Sequence, residues 1–119
     1  MKTSDILKAG LARIERGWTQ GVFARDAFGK DVGADSPDAC AWCMVGAIHD
    51  SLFPTADGAG ITHAYTVLGD VITSMPDRHL RSGRPPTVFW NDRPYRTKEQ
   101  VIAVYHAAIK RAEREEGTE

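Results

Sequence analysis

Apolar residues recur at helical spacing in three stretches of the chain, and in a fourth they crowd most of the circumference. In "SDILKAGLARIERG", Ile6, Leu7, Gly10, Leu11 and Ile14 share one face of a helix. Ser4 stands where a side-chain oxygen would cap the first turn, and Gly17 where a left-handed residue would close the last. Near residues 60–75, Ile61, Tyr65, Leu68, Val71, Ile72 and Met75 repeat the pattern, and Pro76 lies just beyond. The last helix opens at Thr97, where "TKEQ" reads as a capping box, and Val101, Tyr105, Ala108, Ile109 and Ala112 line its face. Its polar end, "AEREEGTE", is expected to fray.

The crowded stretch is "SPDACAWCMVGAIHD" and the residues that follow it. Ser36, Pro37 and Asp38 read as N-cap, first helical residue and favourable first-turn charge. Ala39, Cys43, Gly46 and Ala47 form a small-residue stripe beside a large one of Trp42, Val45, Ile48 and Leu52. The pattern predicts a helix over 36–52 buried on nearly all sides. Gly46 would cost such a helix about 1 kcal/mol relative to alanine, a loss that close approach of another backbone would offset. Between the first two helices, "WTQGVFARDAFGKDVGAD" is rich in glycine, and its "DAFGK" segment predicts a short β-hairpin. "TVFW", at 87–90, reads as a short strand that could pair with it. The expected fold is therefore mainly α, an α+β domain with a minor β element: four helices around a central buried second helix, in one domain over 1–119.

Composition changes this picture little. An apolar fraction of 42% and a charged fraction of 26% are those of an ordinary globular protein. No apolar run approaches the roughly 20 residues that span a bilayer, so no membrane partner is expected. The N-terminus shows no apolar signal region, and two cysteines make no disulfide framework, which points to the reducing cytoplasm. Charge is more informative. Residues 31–77 carry seven acids and neither lysine nor arginine, whereas residues 78–98 carry six bases against one acid. A chain so divided can pair its own halves or offer a basic face to a partner.

Three quoted segments carry a resemblance: "GLARIERGWTQGVFARDAFGKDV", "SPDACAWCMVGAI" and "FWNDRPYRTKEQVIAVYHAAIKRA". In that order they resemble a family of small uncharacterised bacterial and phage proteins, a domain of unknown function. Its pattern is a helix ending in RGW-Q, a D-G excursion, a WC-GA helix, and ND followed by T-EEV. The resemblance spans most of the chain except roughly residues 51–86, and here the last motif reads "TKEQV". It implies one coherent fold without implying an activity.

Candidate chemistry centres on the cysteines and the basic segment. Cys40 and Cys43 have the spacing of a metal knuckle, which His49 and His63 could complete; a pair inside a helix converges poorly, so no metal and no other cofactor is expected. As a redox pair they would sit too deep in the helix for its dipole to activate them. A small cysteine hydrolase would use Cys43 as nucleophile, His63 as base, and Asn91 or Asp92 to orient it, an order like that of papain-like enzymes. Burial beside Trp42 and Val45 argues against a reactive thiol. Asn91 and Asp92 otherwise have turn chemistry, or an acid here could fix Arg25 or Arg96 in a notch walled by Trp90 and Tyr95.

In the basic segment, Arg78, Arg81, Arg84, Trp90, Arg93, Tyr95 and Arg96 combine the residue types favoured at protein interfaces. They could equally stack and pair with nucleic acid, although no recognition motif accompanies them. The expectation is a non-enzymatic protein-interaction module, one form of which would be an inhibitor of a host system. The hydrolase and the nucleic-acid binder are its alternatives.

Overall fold

The structure, a computed structural model, describes residues 1–75 and 86–117. Helix α1 (Thr3–Arg16) leads into a small sheet of three two-residue strands, β1 (Ala24–Arg25), β2 (Asp31–Val32) and β3 (Ala41–Trp42). Two short 3-10 turns, Gly46–Ile48 and Asp50–Leu52, follow, then α2 (Gly58–Thr73), α3 (Pro86–Asn91) and α4 (Lys98–Glu116). The mainly helical α+β class with a minor sheet is as the sequence predicts.

The long helices form where local signals and apolar spacing agree. Asp57 caps α2 by accepting from the Gly60 N–H at 2.9 Å. Thr97 caps α4 by accepting from Gln100 N–H (3.2 Å), and Gln100 reaches back to the Thr97 N–H (3.1 Å). Ile6, Leu7 and Ile14 of α1 meet Leu68 and Ile72 of α2 and Val101, Tyr105 and Ala108 of α4 in one core, all fully buried. Gly10 makes room there: a Cβ on it would lie 2.8 Å from the Tyr105 ring.

Two details of α1 differ from expectation. Ser4 is not the cap. It lies inside the helix, buried, where its hydroxyl donates to Glu116 Oε1 at 2.6 Å and its N–H to Oε2 at 3.1 Å. These bonds, with Lys8–Glu113 at 2.9 Å, dock the polar end of α4 on α1, and the helix runs on to Glu116. Gly17 is extended (φ −177°) rather than left-handed; a Cβ there would sit 2.2 Å from the Cys40 carbonyl oxygen. Its smallness serves a close passage of chain.

The larger correction concerns residues 36–52, which are central and buried but do not form an α-helix. Ser36 starts a turn instead, its hydroxyl accepting from the Asp38 N–H at 3.1 Å. The backbone beyond finds non-local partners: Cys40 N–H donates to Arg25 O (2.9 Å), Trp42 N–H to Gly17 O (3.0 Å) and Cys43 N–H to Phe23 O (3.1 Å). Tryptophan, valine, isoleucine and glycine are indifferent or poor helix formers, so these partners win. The close approach expected at Gly46 is present, since a Cβ on it would lie 2.1 Å from the Phe23 carbonyl oxygen. "TVFW" likewise departs from expectation: it lies in α3, and the strand that pairs with β1 besides β2 is β3.

The hairpin itself is as predicted. Strand β1 pairs antiparallel with β2 in the register Ala24↔Val32 and Arg25↔Asp31, and with β3 on its other side. The Gly29 N–H donates to Asp26 O and the Asp26 N–H to Lys30 O, with Gly29 at φ +80°. That is a type I turn followed by a glycine bulge.

Glycine substitutions separate the two backbone environments. Gly46→Ala should cost about 3 kcal/mol or more, because the new methyl meets backbone that cannot step aside. Gly69→Ala, in α2 with nothing within 4 Å of the new Cβ, should gain up to about 1 kcal/mol. Urea denaturation of both variants reads the opposite signs.

Candidate functional site

Asn91 ends α3 and is 1% exposed, with every polar group of its side chain engaged. Its Oδ1 accepts from Trp18 Nε1–H (2.8 Å) and from the Met44 backbone N–H (3.0 Å). Its Nδ2 donates to Thr19 O (3.3 Å) and to Asp92 Oδ1 (3.0 Å). Gln20 fastens the same junction by donating to Asn91 O (2.8 Å) and Arg93 O (2.6 Å). Asp92 Oδ1 also accepts from the Gly21 N–H at 3.0 Å. The "WTQG" and "ND" segments thus form one hydrogen-bonded unit around residues 42–44. A carboxamide serves here because it offers an acceptor to two N–H groups and donors to two oxygens.

Beside this unit lies a cleft of about 250 Å³. Val22, Phe23, Val45 and Val88 give it apolar walls, and the buried Cys43 and Asn91 its interior face. Asp31 and Asp92, both exposed, are its charged groups. Cys43, Asn91 and Asp92, grouped only in the alternative cysteine hydrolase, therefore line one cleft. His63 is not among the residues lining this cleft; its Nε2 lies 2.8 Å from Glu115 Oε2, joining α2 to α4. The Cys43 Sγ accepts from the Gly46 N–H at 3.2 Å, and both cysteines are free thiols. Burial pushes the Cys43 thiol up, against the lowering effect of nearby backbone N–H groups.

The four residues considered for a metal do not converge. Among the described residues, no three His, Cys, Asp or Glu side chains stand together as a cation site. Cys40 is half-buried at the entry to β3. His49 sits between the two 3-10 turns, its Nδ1 accepting from the Ser51 N–H at 3.2 Å and its ring tilted on Phe23 at 5.0 Å.

The basic segment divides. Arg78, Arg81 and Arg84 lie outside the described residues. Trp90 and Arg96, expected at the surface, are 2% and 7% exposed. Arg96 stacks on Trp90 at 3.7 Å from the ring centroid and donates to Trp90 O (2.9 Å) and Gln100 Oε1 (3.2 Å). A guanidinium can be buried this way because the aromatic face and fixed acceptors replace water. Arg93, half-buried, lies 4.5 Å from the Phe89 ring centroid, and Tyr95 is 52% exposed. Of the notch expected around Arg25 or Arg96, the aromatic walls gather at Arg96, 3.7 Å from the Trp90 ring centroid and 5.3 Å from that of Tyr95, while the Arg25 guanidinium donates to Thr19 Oγ1, Gln20 O and Gly29 O.

Sequence reasoning overlooked Phe23, Phe28, Asp31 and Val88 as surface residues. For Phe28 a signal existed. A large ring inside "DAFGK", where the other residues demand a tight exposed turn, has nowhere to be buried.

Two outcomes test the site. Asn91→Ala orphans the Trp18 and Met44 N–H groups and should cost about 2–4 kcal/mol in urea denaturation. In native-state alkylation near neutral pH, Cys43 should react about tenfold slower than Cys40, because a raised pKa leaves less thiolate. Its rate should climb as pH is raised beyond 9, read by peptide mass mapping.

No curated protein and no solved structure matches the chain. A family model described as "Family of unknown function (DUF6197)" matches residues 1–111, a span that holds every residue of the cleft and the hairpin. The chain belongs to this family.

Proposed function

We infer that this protein is a non-enzymatic interaction module that captures a protein partner, with the β1–β2 hairpin as its leading edge. One observation carries the reading: the Phe28 ring is 94% exposed at the tip of a turn that is held rigidly. Asp26 Oδ1 accepts from both the Phe28 and Lys30 N–H groups at 2.9 Å, and Arg25 Nη1 donates to Gly29 O at 3.0 Å. Five hydrogen bonds, with the two across the turn, therefore fix a loop whose aromatic side chain adds almost nothing to the core.

Such a tip is preorganised for binding. Burying a phenylalanine ring against a partner is worth about 1.5–3 kcal/mol, and a loop already ordered loses little entropy in docking. Half-exposed Phe23 and Tyr95 add aromatic area of the kind enriched at interfaces. Among the described residues of the basic segment, half-buried Arg93 and exposed Tyr95 keep surface open to a partner. Two free cysteines fit a reducing compartment, the cytoplasm.

Phe28→Ser should leave stability within about 0.5 kcal/mol of the parent, as an exposed position permits. It should remove from a cross-linked pull-down the protein that the parent retains, while Phe28→Trp keeps it. Undiminished capture by Phe28→Ser would end the hairpin reading.

A further inference from the structure

We propose that two clefts astride Phe23 form one docking groove for an extended partner segment that combines basic and apolar side chains. The proposal rests on the protein-capture reading and names the chemistry of what is captured.

Phe23 lines both the 250 Å³ cleft and a second one of about 370 Å³ on the side of α2. It is 49% exposed and forms a ridge between them. The ridge is fixed from behind, since its carbonyl accepts the Cys43 N–H and backs directly on Gly46. Val22, Val45 and Val88 wall one side, Ile61 and Tyr65 the other. The Tyr65 hydroxyl is turned inward, 3.4 Å from the Val45 and Ile48 carbonyls, leaving its ring to the groove.

Charge selects the occupant. The residues lining the two clefts include Asp31, Asp92 and Asp50 but no lysine or arginine. Arg25, whose guanidinium would come within 3.8 Å of a Cβ on Gly21 at the rim of the first cleft, directs three of its five N–H groups to neutral oxygens of Thr19, Gln20 and Gly29, which leaves Asp31 and Asp92 as the acids of that cleft and Asp50 as the acid of the second. A lysine or arginine of the partner would lay its aliphatic stem on the valine or Phe23 wall and carry its charge to an aspartate. An apolar side chain at a neighbouring position would fill the second cleft. Aspartates on both sides of the ridge make the groove repel acidic peptides and nucleic acid alike, which is where specificity arises.

The test is selection of a displayed random-peptide library on the intact protein, followed by fluorescence anisotropy with the enriched peptides. Enriched sequences should be net positive and contain apolar residues, and their amide-shift map should cluster on Val22, Phe23, Val45 and Ile61. The exposed-site double variant Asp31→Lys/Asp50→Lys should bind them about tenfold more weakly or worse, and Val88→Glu should also weaken them. Both variants are checked for an unchanged denaturation midpoint. Absence of enrichment, a preference for acidic peptides, shifts elsewhere, or saturable binding of a single-stranded oligonucleotide at these residues would overturn the proposal. Phe28 lines neither cleft, so Phe28→Ser should leave peptide affinity unchanged. Failure of the hairpin reading and failure of the groove thus register in different variants.

Discussion

Residues 40–44 enter the core in a form that leaves their backbone N–H groups without helical partners, and those groups have to be satisfied away from water. A buried N–H left alone costs as much as several good contacts return, so the rest of the fold is arranged around supplying them. Gly17, Phe23 and Arg25 contribute carbonyls to the N–H groups of Trp42, Cys43 and Cys40. Asn91 reaches in from α3 to accept from Met44, and the Tyr105 hydroxyl, from α4, donates to the Met44 carbonyl. The Arg13 guanidinium of α1 donates to Ala47 O at 3.3 Å. Four separate elements meet on one extended segment, and among the described residues no buried side-chain nitrogen or oxygen lacks a partner.

This constraint also builds the surface. Cys43 bonding to the Phe23 carbonyl, with Gly46 pressed against the same peptide, pushes the Phe23 ring outward as a ridge instead of letting it sink into the core. The Gln20 and Asp92 bonds to the opposite chain fix the distance between the β1 side and α3, and that separation is the width of the cleft. Groove and core are therefore one construction. Removing an amide at the junction would loosen both, whereas the Phe28 turn is self-contained and can change alone.

How much of this was legible depends on the range of the signals. Helices α1, α2 and α4 declare themselves through spacing and, in α4, through a cap that the sequence spells out. Residues 36–52 misled because their apolar residues fit a buried helix and a buried extended segment equally well, and only partners far along the chain decide between them. Ser4 misled for a related reason: a cap and a tertiary donor are the same residue type, and Glu116, which claims it, lies at the other end of the sequence. In the site, the sequence groups Cys43, Asn91 and Asp92 only within a disfavoured hydrolase alternative, whose fourth member, His63, lies with Glu115 instead. Arg96 beside Trp90 is one of two readings that the sequence offers, but its burial there is not decided, because composition marks an arginine and an aromatic as interface residues without saying whether they face a partner or each other.

The electrostatics of the cleft bear on the choice between binding and catalysis. A nucleophilic cysteine needs a positive neighbourhood: a histidine, a lysine or a strong helix dipole to hold its thiolate. Cys43 has the reverse. Burial raises its pKa first, and the charge of Asp92 raises it further. His63, the base that a hydrolase would require, is engaged with Glu115 between α2 and α4. Asp92, one of the carboxylates that line the cleft, thus also disfavours a thiolate at Cys43. Within the cleft the buried thiol, its pKa raised, stands as a small, polarizable piece of wall.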